Sequence, residues 1–161
     1  NILEPTFAWS PDSSLMAFRA DAVVNNLTQL FLVNRNGGTV TPASLNSGSG
    51  INDVFDFAWS PDGAWLAYIA PEDVDGAVEL YAVDPSLTGR HKLCMPASGS
   101  NEDVFNGIRW LPDSSLVAFR ADRDPTSNQV VELFTAGIDV PAARVSGDLV
   151  DNGDVDLFLV D

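Results

Sequence analysis

The sequence predicts an all-β chain made of repeated four-stranded sheets, and three observations carry that prediction. A Trp-x-Pro-Asp segment recurs as Phe7-Ala8-Trp9-Ser10-Pro11-Asp12, Phe57-Ala58-Trp59-Ser60-Pro61-Asp62-Gly63 and Ile108-Arg109-Trp110-Leu111-Pro112-Asp113, with the tryptophans 50 and then 51 residues apart. A fixed period of that length marks a stacked or radial repeat. Each unit also offers four short apolar segments separated by turn chemistry, the spacing of small antiparallel strands rather than of helices. In the first two strands of every unit, apolar residues occupy both alternating faces, so each small sheet must be covered on both sides.

Taken in order, the first strand of each unit is the segment ending in Trp9, Trp59 or Trp110. Ser-Pro-Asp closes it, because Pro presets φ for a turn and the Asp or Ser side chain hydrogen-bonds nearby amides. Gly63 completes the second turn where Ser13 and Ser114 stand in the others. The second strand is predicted over Leu15 to Ala20, Trp65 to Ala70 and Leu116 to Ala121, and its central aromatic falls nine residues after the Trp in every copy. The third covers Leu30 to Val33, Leu80 to Val83 and Leu133 to Ala136; turns at Asn36-Gly37-Gly38, Ser86 to Gly89 and Gly137-Ile138-Asp139 follow it. A weaker fourth strand lies near Thr39 to Thr41, Lys92 to Met95 and Arg144 to Ser146, where polar and apolar residues mix as suits an outer edge.

Two-sided burial with a polar outermost strand favours a propeller over a sandwich, since burial in a radial array falls from axis to rim. The expected organisation is a single partial propeller over residues 1–161. Its blades lie near 1–50, 51–101 and 102–150, and a further blade begins at 151–161. There, Asp154 to Asp161 matches the approach to a first strand, with Phe158 in the place of Phe57 and Val160 in that of Trp59. Closed propellers typically need four to eight blades. An arc of three would expose apolar faces beyond what a soluble monomer tolerates. Further sequence, a second copy of the chain or a domain swap is expected to cover them. With Asn1 only a few residues before the first strand, the sequence looks like a piece of a longer polypeptide.

A chain of 161 residues buries roughly 70% of the surface its unfolded form exposes. Its 23 carboxylates against eight Lys and Arg give a formal net charge of −15, which repels a phosphate backbone and argues against nucleic acid as partner. Apolar runs are only a few residues long, so neither a membrane span nor a secretory signal is expected within the chain. Cys94 stands alone, which leaves no internal disulfide framework. Between Leu93 and Met95, it is expected to be a buried, inert thiol.

At Trp59-Ser60-Pro61-Asp62-Gly63, followed by Leu66-Ala67-Tyr68 and Leu80-Tyr81, the chain resembles the WD40-like Pro-Asp repeat of the TolB-type β-propeller family. The resemblance covers nearly all 161 residues; Leu111 and Arg109 depart from it. It implies a propeller fold, a periplasmic or extracellular location, and one of several roles. Such propellers look like protein-binding platforms, solute-facing surface proteins, or the non-catalytic gate of prolyl oligopeptidase-type peptidases, and fold alone does not choose among them. The Arg-Ala-Asp segments with their acidic loops also look like a surface-protein variant in which such a loop holds calcium. Here that pattern is eroded: Asp21 with Asn25, Asp73 with Asp75-Gly76, and Asp122 with Asp124 remain, and they are expected to be solvated turn residues.

No constellation for recognisable chemistry occurs. A serine hydrolase needs a Gly-x-Ser-x-Gly elbow with His and Asp partners, and Ser47-Gly48-Ser49-Gly50 is instead a linker between blades. The one His and one Cys exclude a zinc site of ordinary composition within the chain. His91, between Arg90 and Lys92, is expected at an exposed strand edge. The Asp12, Asp62 and Asp113 set recurs at one repeat position, as does the Asp53, Asp103 and Asp154 set, which suits structural turns rather than a unique catalytic pair. Arg109 is the one charge set into an inner strand of Phe, Ala and Trp; a buried or half-buried ion pair is expected there. The sequence therefore assigns no catalytic, cofactor-binding or metal-ligating residue. It points to a non-enzymatic scaffold that binds a protein or ligand through blade loops, with a hydrolase's non-catalytic propeller as the alternative; the resemblance implies that it is part of an exported bacterial protein.

Overall fold

The computed structural model describes residues 6–21, 27–45, 53–72, 78–94, 103–122 and 130–146, and in them the chain forms three four-stranded antiparallel sheets. The first holds β1 (Phe7–Trp9), β2 (Leu15–Ala20), β3 (Gln29–Asn34) and β4 (Thr41–Pro42). The second holds β5 (Asp56–Trp59), β6 (Leu66–Ala70), β7 (Glu79–Val83) and β8 (Arg90–Cys94). In the third are β9 (Val104–Trp110), β10 (Val117–Asp122), β11 (Val131–Ala136) and β12 (Ala143–Arg144). Strand order within each sheet follows the chain, so each blade is a simple meander. The sheets do not close on one another, and the arrangement is an open partial propeller. The expected inner strand within 151–161 lies outside the described residues.

Register repeats from blade to blade. Phe18 pairs with Phe31, Tyr68 with Tyr81 and Phe119 with Phe134, and each pair stacks with centroids 5.6, 5.5 and 5.8 Å apart. Cross-strand aromatic pairs of this kind add to sheet stability beyond the area they bury. They fix the second strand against the third at the same point in all three blades.

The core consists of two seams. Ala17, Leu30 and Leu32 of the first blade meet Phe57, Leu66, Tyr68, Tyr81 and Val83 of the second. On its other side the second blade presents Ala67, Ile69, Leu80 and Ala82 to Ile108, Val117, Phe119 and Phe134 of the third. Strands β6 and β7 are accordingly buried throughout, while β4 and β12 are exposed. Phe57 is 2% exposed, whereas Phe7, its counterpart in the first blade, is 61% and Trp9 is 49% exposed. No described sheet precedes the first blade, and that absence alone separates the two environments. The tryptophans serve the seams as well: Trp59 Nε1 donates to Ala8 O at 3.4 Å and Trp110 Nε1 to Ala58 O at 3.1 Å.

Most strands lie within about two residues of their expected bounds, and one departs further. The third inner strand begins at Val104, well before Ile108, and carries a bulge: Ala118 pairs with Arg109 but Arg120 pairs with Phe105. Gly107 lies within it at φ 111°, where a side chain would be strained. The bulge turns two backbone N–H groups out of the ladder, and their partner comes from the neighbouring blade.

In the turns after the inner strands, Ser13, Gly63 and Ser114 all adopt left-handed backbone at φ 60°, 73° and 63°. Glycine is the residue that accepts this conformation without a Cβ penalty. Gly63→Ala is expected to lower stability by about 1 kcal/mol. The check is a lower urea midpoint at unchanged denaturant slope.

Candidate functional site

At the end of the arc where the first strands turn into the second, the Pro-Asp turns form a rim. Ser10 Oγ accepts from Leu15 N at 3.0 Å and donates to Asp12 Oδ1 at 2.6 Å. The same carboxylate oxygen takes Ser14 N at 3.0 Å and Ser14 Oγ at 2.9 Å. The second blade repeats the pattern, with Asp62 Oδ1 accepting from Ser60 Oγ at 2.6 Å and Ala64 N at 3.0 Å. In the third, Leu111 has no hydroxyl to offer, and Asp113 Oδ1 is held by Ser115 N at 3.0 Å and Ser115 Oγ at 2.6 Å. Donors aimed at a carboxylate favour its charged form. The Ser10 hydroxyl first, then Ser14, lowers Asp12 to about 2; Ser60 and Ala64 hold Asp62 down, and Ser115 does the same for Asp113.

Successive turns touch. Asp62 N donates to Ser114 Oγ at 3.0 Å, and Gly63 sits against Pro11, so that a β-carbon there would lie 3.4 Å from Pro11 Cδ. Pro11, Pro61, Leu111 and Pro112 are exposed along this rim. The result is a continuous acidic ledge of three rigid turns.

The opposite end carries the other recurring aspartates. Asp53 Oδ1 accepts from Thr28 N at 2.6 Å while Val54 N donates to Thr28 O at 2.8 Å. One period later, Asp103 Oδ1 accepts from Val78 N at 3.2 Å and Val104 N donates to Val78 O at 3.0 Å. Each aspartate thus ties the approach to one blade's inner strand to the third strand of the blade before it. Arg19 strengthens the first of these seams, its Nη1 donating to Val54 O at 3.1 Å and to Phe55 O. Ile69 occupies the corresponding position in the second blade. At the second seam there is a cavity of about 370 Å³ lined by Phe55, Val78, Asp103, Val104, Phe105, Asn106 and Arg120.

Three buried carboxylates were not singled out in the sequence. Asp56 Oδ2 accepts from Gly107 N at 2.8 Å and Ile108 N at 3.1 Å, and its Oδ1 from Phe57 N at 2.8 Å. It is the partner of the N–H groups freed by the β9 bulge. Glu72 accepts from Tyr68 Oη at 3.0 Å and from Leu45 N at 2.6 Å, and pairs with Arg90 Nη1 at 2.5 Å. Arg90 Nη2 reaches on to Ala43 O at 2.8 Å, and desolvation lowers its pKa. Glu79 pairs with Lys92 Nζ at 2.7 Å and accepts from Tyr81 Oη. Asp56 replaces Thr6 and Gly107 of the other copies, a departure from the repeat that was the available signal.

Arg109 corrects an expectation. It is exposed rather than buried in an ion pair, with Nη1 folded back to Ile108 O at 2.7 Å. The position of an inner-strand residue whose face no described blade covers explains this. His91 lies on the outer strand β8, partly buried, its ring edge-on to Trp65 at 5.1 Å. Cys94 is buried. Of the eroded acidic loops, Asp21 is exposed as expected, but Asp122 is buried at the end of β10 rather than solvated in a turn; Asn25, Asp73, Asp75, Gly76 and Asp124, and the linker from Ser47 to Gly50, fall outside the described residues. Among the described residues no group of three or more His, Cys, Asp or Glu is placed to hold a metal ion, and no helix is long and apolar enough to cross a membrane.

Meandering four-stranded blades joined by recurring seam contacts define an open, partial β-propeller. The chain belongs to the family described as the lipoprotein LpqB beta-propeller domain, whose model matches residues 1–150. That membership supports the periplasmic or extracellular placement implied by the repeat. Among solved structures, a putative TolB from Agrobacterium tumefaciens superimposes with a TM-score of 0.63 at 19% identity, covering 89% of this chain and 46% of its own. TolB from Acinetobacter baumannii gives a TM-score of 0.60 at 17% identity, covering 92% and 33%. The tricorn protease gives 0.62 at 13% identity, covering 93% of this chain and 17% of its own. The chain therefore spans less than half the length of each of these structures, and the likeness is one of fold. No curated protein matches the chain by sequence.

Two outcomes follow for the carboxylates. Because the folded pKa of Asp12 is depressed, its contribution to stability is present above its ordinary value of 3.8 and is lost as pH falls toward about 2. The melting-temperature advantage of wild type over Asp12→Asn should accordingly be full above pH 4 and vanish on acidification toward pH 2. Asp56→Ala leaves three donors near the second seam without their acceptor, and is expected to cost about 2–4 kcal/mol in chemical denaturation. Asp56→Asn, which keeps one acceptor oxygen, should cost less.

Proposed function

We propose that this chain is a non-enzymatic binding scaffold of an exported bacterial protein and that it receives a protein partner on the Pro-Asp rim. The observation that carries the reading is the rim itself. Three exposed turns are held in one conformation by their own carboxylates and pressed against one another, which gives a preorganised surface that loses little entropy on binding. Loops placed by a rigid scaffold are where binding residues concentrate. With a net charge of −15, the surface suits a partner presenting basic groups, and the field favours fast encounter with it.

A second reading has an observation of its own. The fold is shared with the tricorn protease and, at a TM-score of 0.62 and 12% identity, with a prolyl endopeptidase of which this chain covers 22%. In that reading the propeller is the non-catalytic part of a larger hydrolase. A nucleophile-elbow domain in the same reading frame would select it; further repeats alone would select the scaffold.

The rim is tested by placing a photo-crosslinking residue at Ala64 or Leu111 on one end of the arc and at Leu45 or Val145 on the other, in the intact protein within the bacterial envelope. The expected outcome is one cross-linked partner from the first pair only, identified by mass spectrometry and lost on raising the ionic strength. Cross-links from the second pair alone would overturn the rim as the docking surface.

A further inference from the structure

Both seams have the same polarity, and it makes the two ends of the arc complementary. Phe57, Leu66 and Tyr68 of the second blade are buried against Ala17, Leu30 and Leu32 of the first. The first blade has an aromatic face of the same kind that no described blade covers. Phe7 and Trp9 are exposed there, and Met16 and Phe18 are only half-buried, whereas their counterparts Leu66 and Tyr68 are fully buried. Trp59 and Trp110 donate to Ala8 O and Ala58 O, but Trp9 Nε1 finds no acceptor among the described residues. At the far end, the third blade presents the opposite half of a seam. Ala118 and Leu133 repeat Ala17 and Leu30, and Arg109 stands in the place of Ala8 and Ala58.

We propose that the open face of the first blade receives the third blade of a second copy of this chain, and that two copies close a ring through two identical junctions. Three features name this occupant. The first is continuity with the existing seams. One further step of the indole series puts Trp9 Nε1 on Arg109 O of the second copy. The rim continues in the same sense: Asp62 N donates to Ser114 Oγ across the second seam, and one step on Asp113 N meets the hydroxyl of Ser13, the counterpart of Ser114. The second feature is charge. Arg109 is exposed where the other copies have alanine, and an indole face attracts a guanidinium. The chain's own next repeat has Val160 at the tryptophan position, which offers neither ring nor donor; Trp9 offers both. The third is length. Two arcs hold six blades, within the range of closed propellers, and one arc covers 46% of the Agrobacterium TolB on which it superimposes. Repulsion between two chains of net charge −15 opposes the association and is screened by salt.

The test is the solution mass of the 161-residue chain by sedimentation velocity, over about a tenfold range of concentration at an ionic strength of about 0.15 M. Twice the chain mass is expected at the upper end of the range. Trp9→Ala and Arg109→Glu alter opposite ends of the arc, and each should weaken association about tenfold or more. Both side chains are exposed in the single chain, so the far-UV circular dichroism of each variant should match wild type. Val40→Ala, at an exposed apolar residue outside the junction, should associate as wild type does. A single-chain mass at every concentration would overturn the proposal, and so would a mass that climbs past two copies. Undiminished association of Arg109→Glu would overturn it by showing that two aromatic faces meet each other. An equal loss in Val40→Ala would do so by showing general apolar adhesion. The wild-type mass needs no variant and decides the matter even if a substituted chain fails to fold.

Discussion

Covering both faces of every sheet is the constraint on which the rest of this structure depends. A four-stranded sheet with apolar residues on both sides cannot be stable alone in water, so each blade has to be a neighbour's lid. Strands β6 and β7, buried at every residue, show what full cover gives; Phe7 and Trp9 show what its absence leaves. The polar inventory serves the same constraint. Indole N–H groups, the Asp53 and Asp103 carboxylates and the Arg19 guanidinium all bond across seams, so close approach of two blades satisfies main-chain groups that would otherwise be buried without partners.

The two seams use different means to that end. The first is laced with charge: Arg19 reaches forward to Val54 and Phe55, and Glu72 with Arg90 reaches back to Leu45 and Ala43. At the second, Asp56 reaches forward to the β9 bulge. Because a buried carboxylate is stable only when its oxygens are occupied, the bulge and Asp56 have to exist together. Either alone would leave polar groups without partners at the second seam.

Much of this was legible in the sequence wherever the repeat held. Leu15 to Ala20 begins and ends as read, and the nine-residue interval from Trp to aromatic became the register of Phe18, Tyr68 and Phe119 against their stacking partners. The recurrence of Asp12, Asp62 and Asp113 marked them as turn residues, and the carboxylates do cap those turns. What was not legible lies where one copy departs from the others. Asp56 looked like one acid among many because its partners are backbone groups 51 and 52 residues away. A charge in an inner strand implies burial in an ion pair, whereas the face that Arg109 occupies is exposed.

The indole contacts have a direction. Trp59 gives its proton to Ala8 and Trp110 gives its proton to Ala58, so each unit carries a donor on one flank and an acceptor on the other. Junctions of this kind are indifferent to how many links precede or follow them. Excising one period would bring the indole of Trp110 to the carbonyl of Ala8, and inserting one would create another junction of the same kind. In-frame gain or loss of about fifty residues is thus a change the chemistry of this chain accepts, while a break at any other spacing would leave a donor facing the wrong strand. The genetic route by which such proteins lengthen or shorten is written into the handedness of a single hydrogen bond.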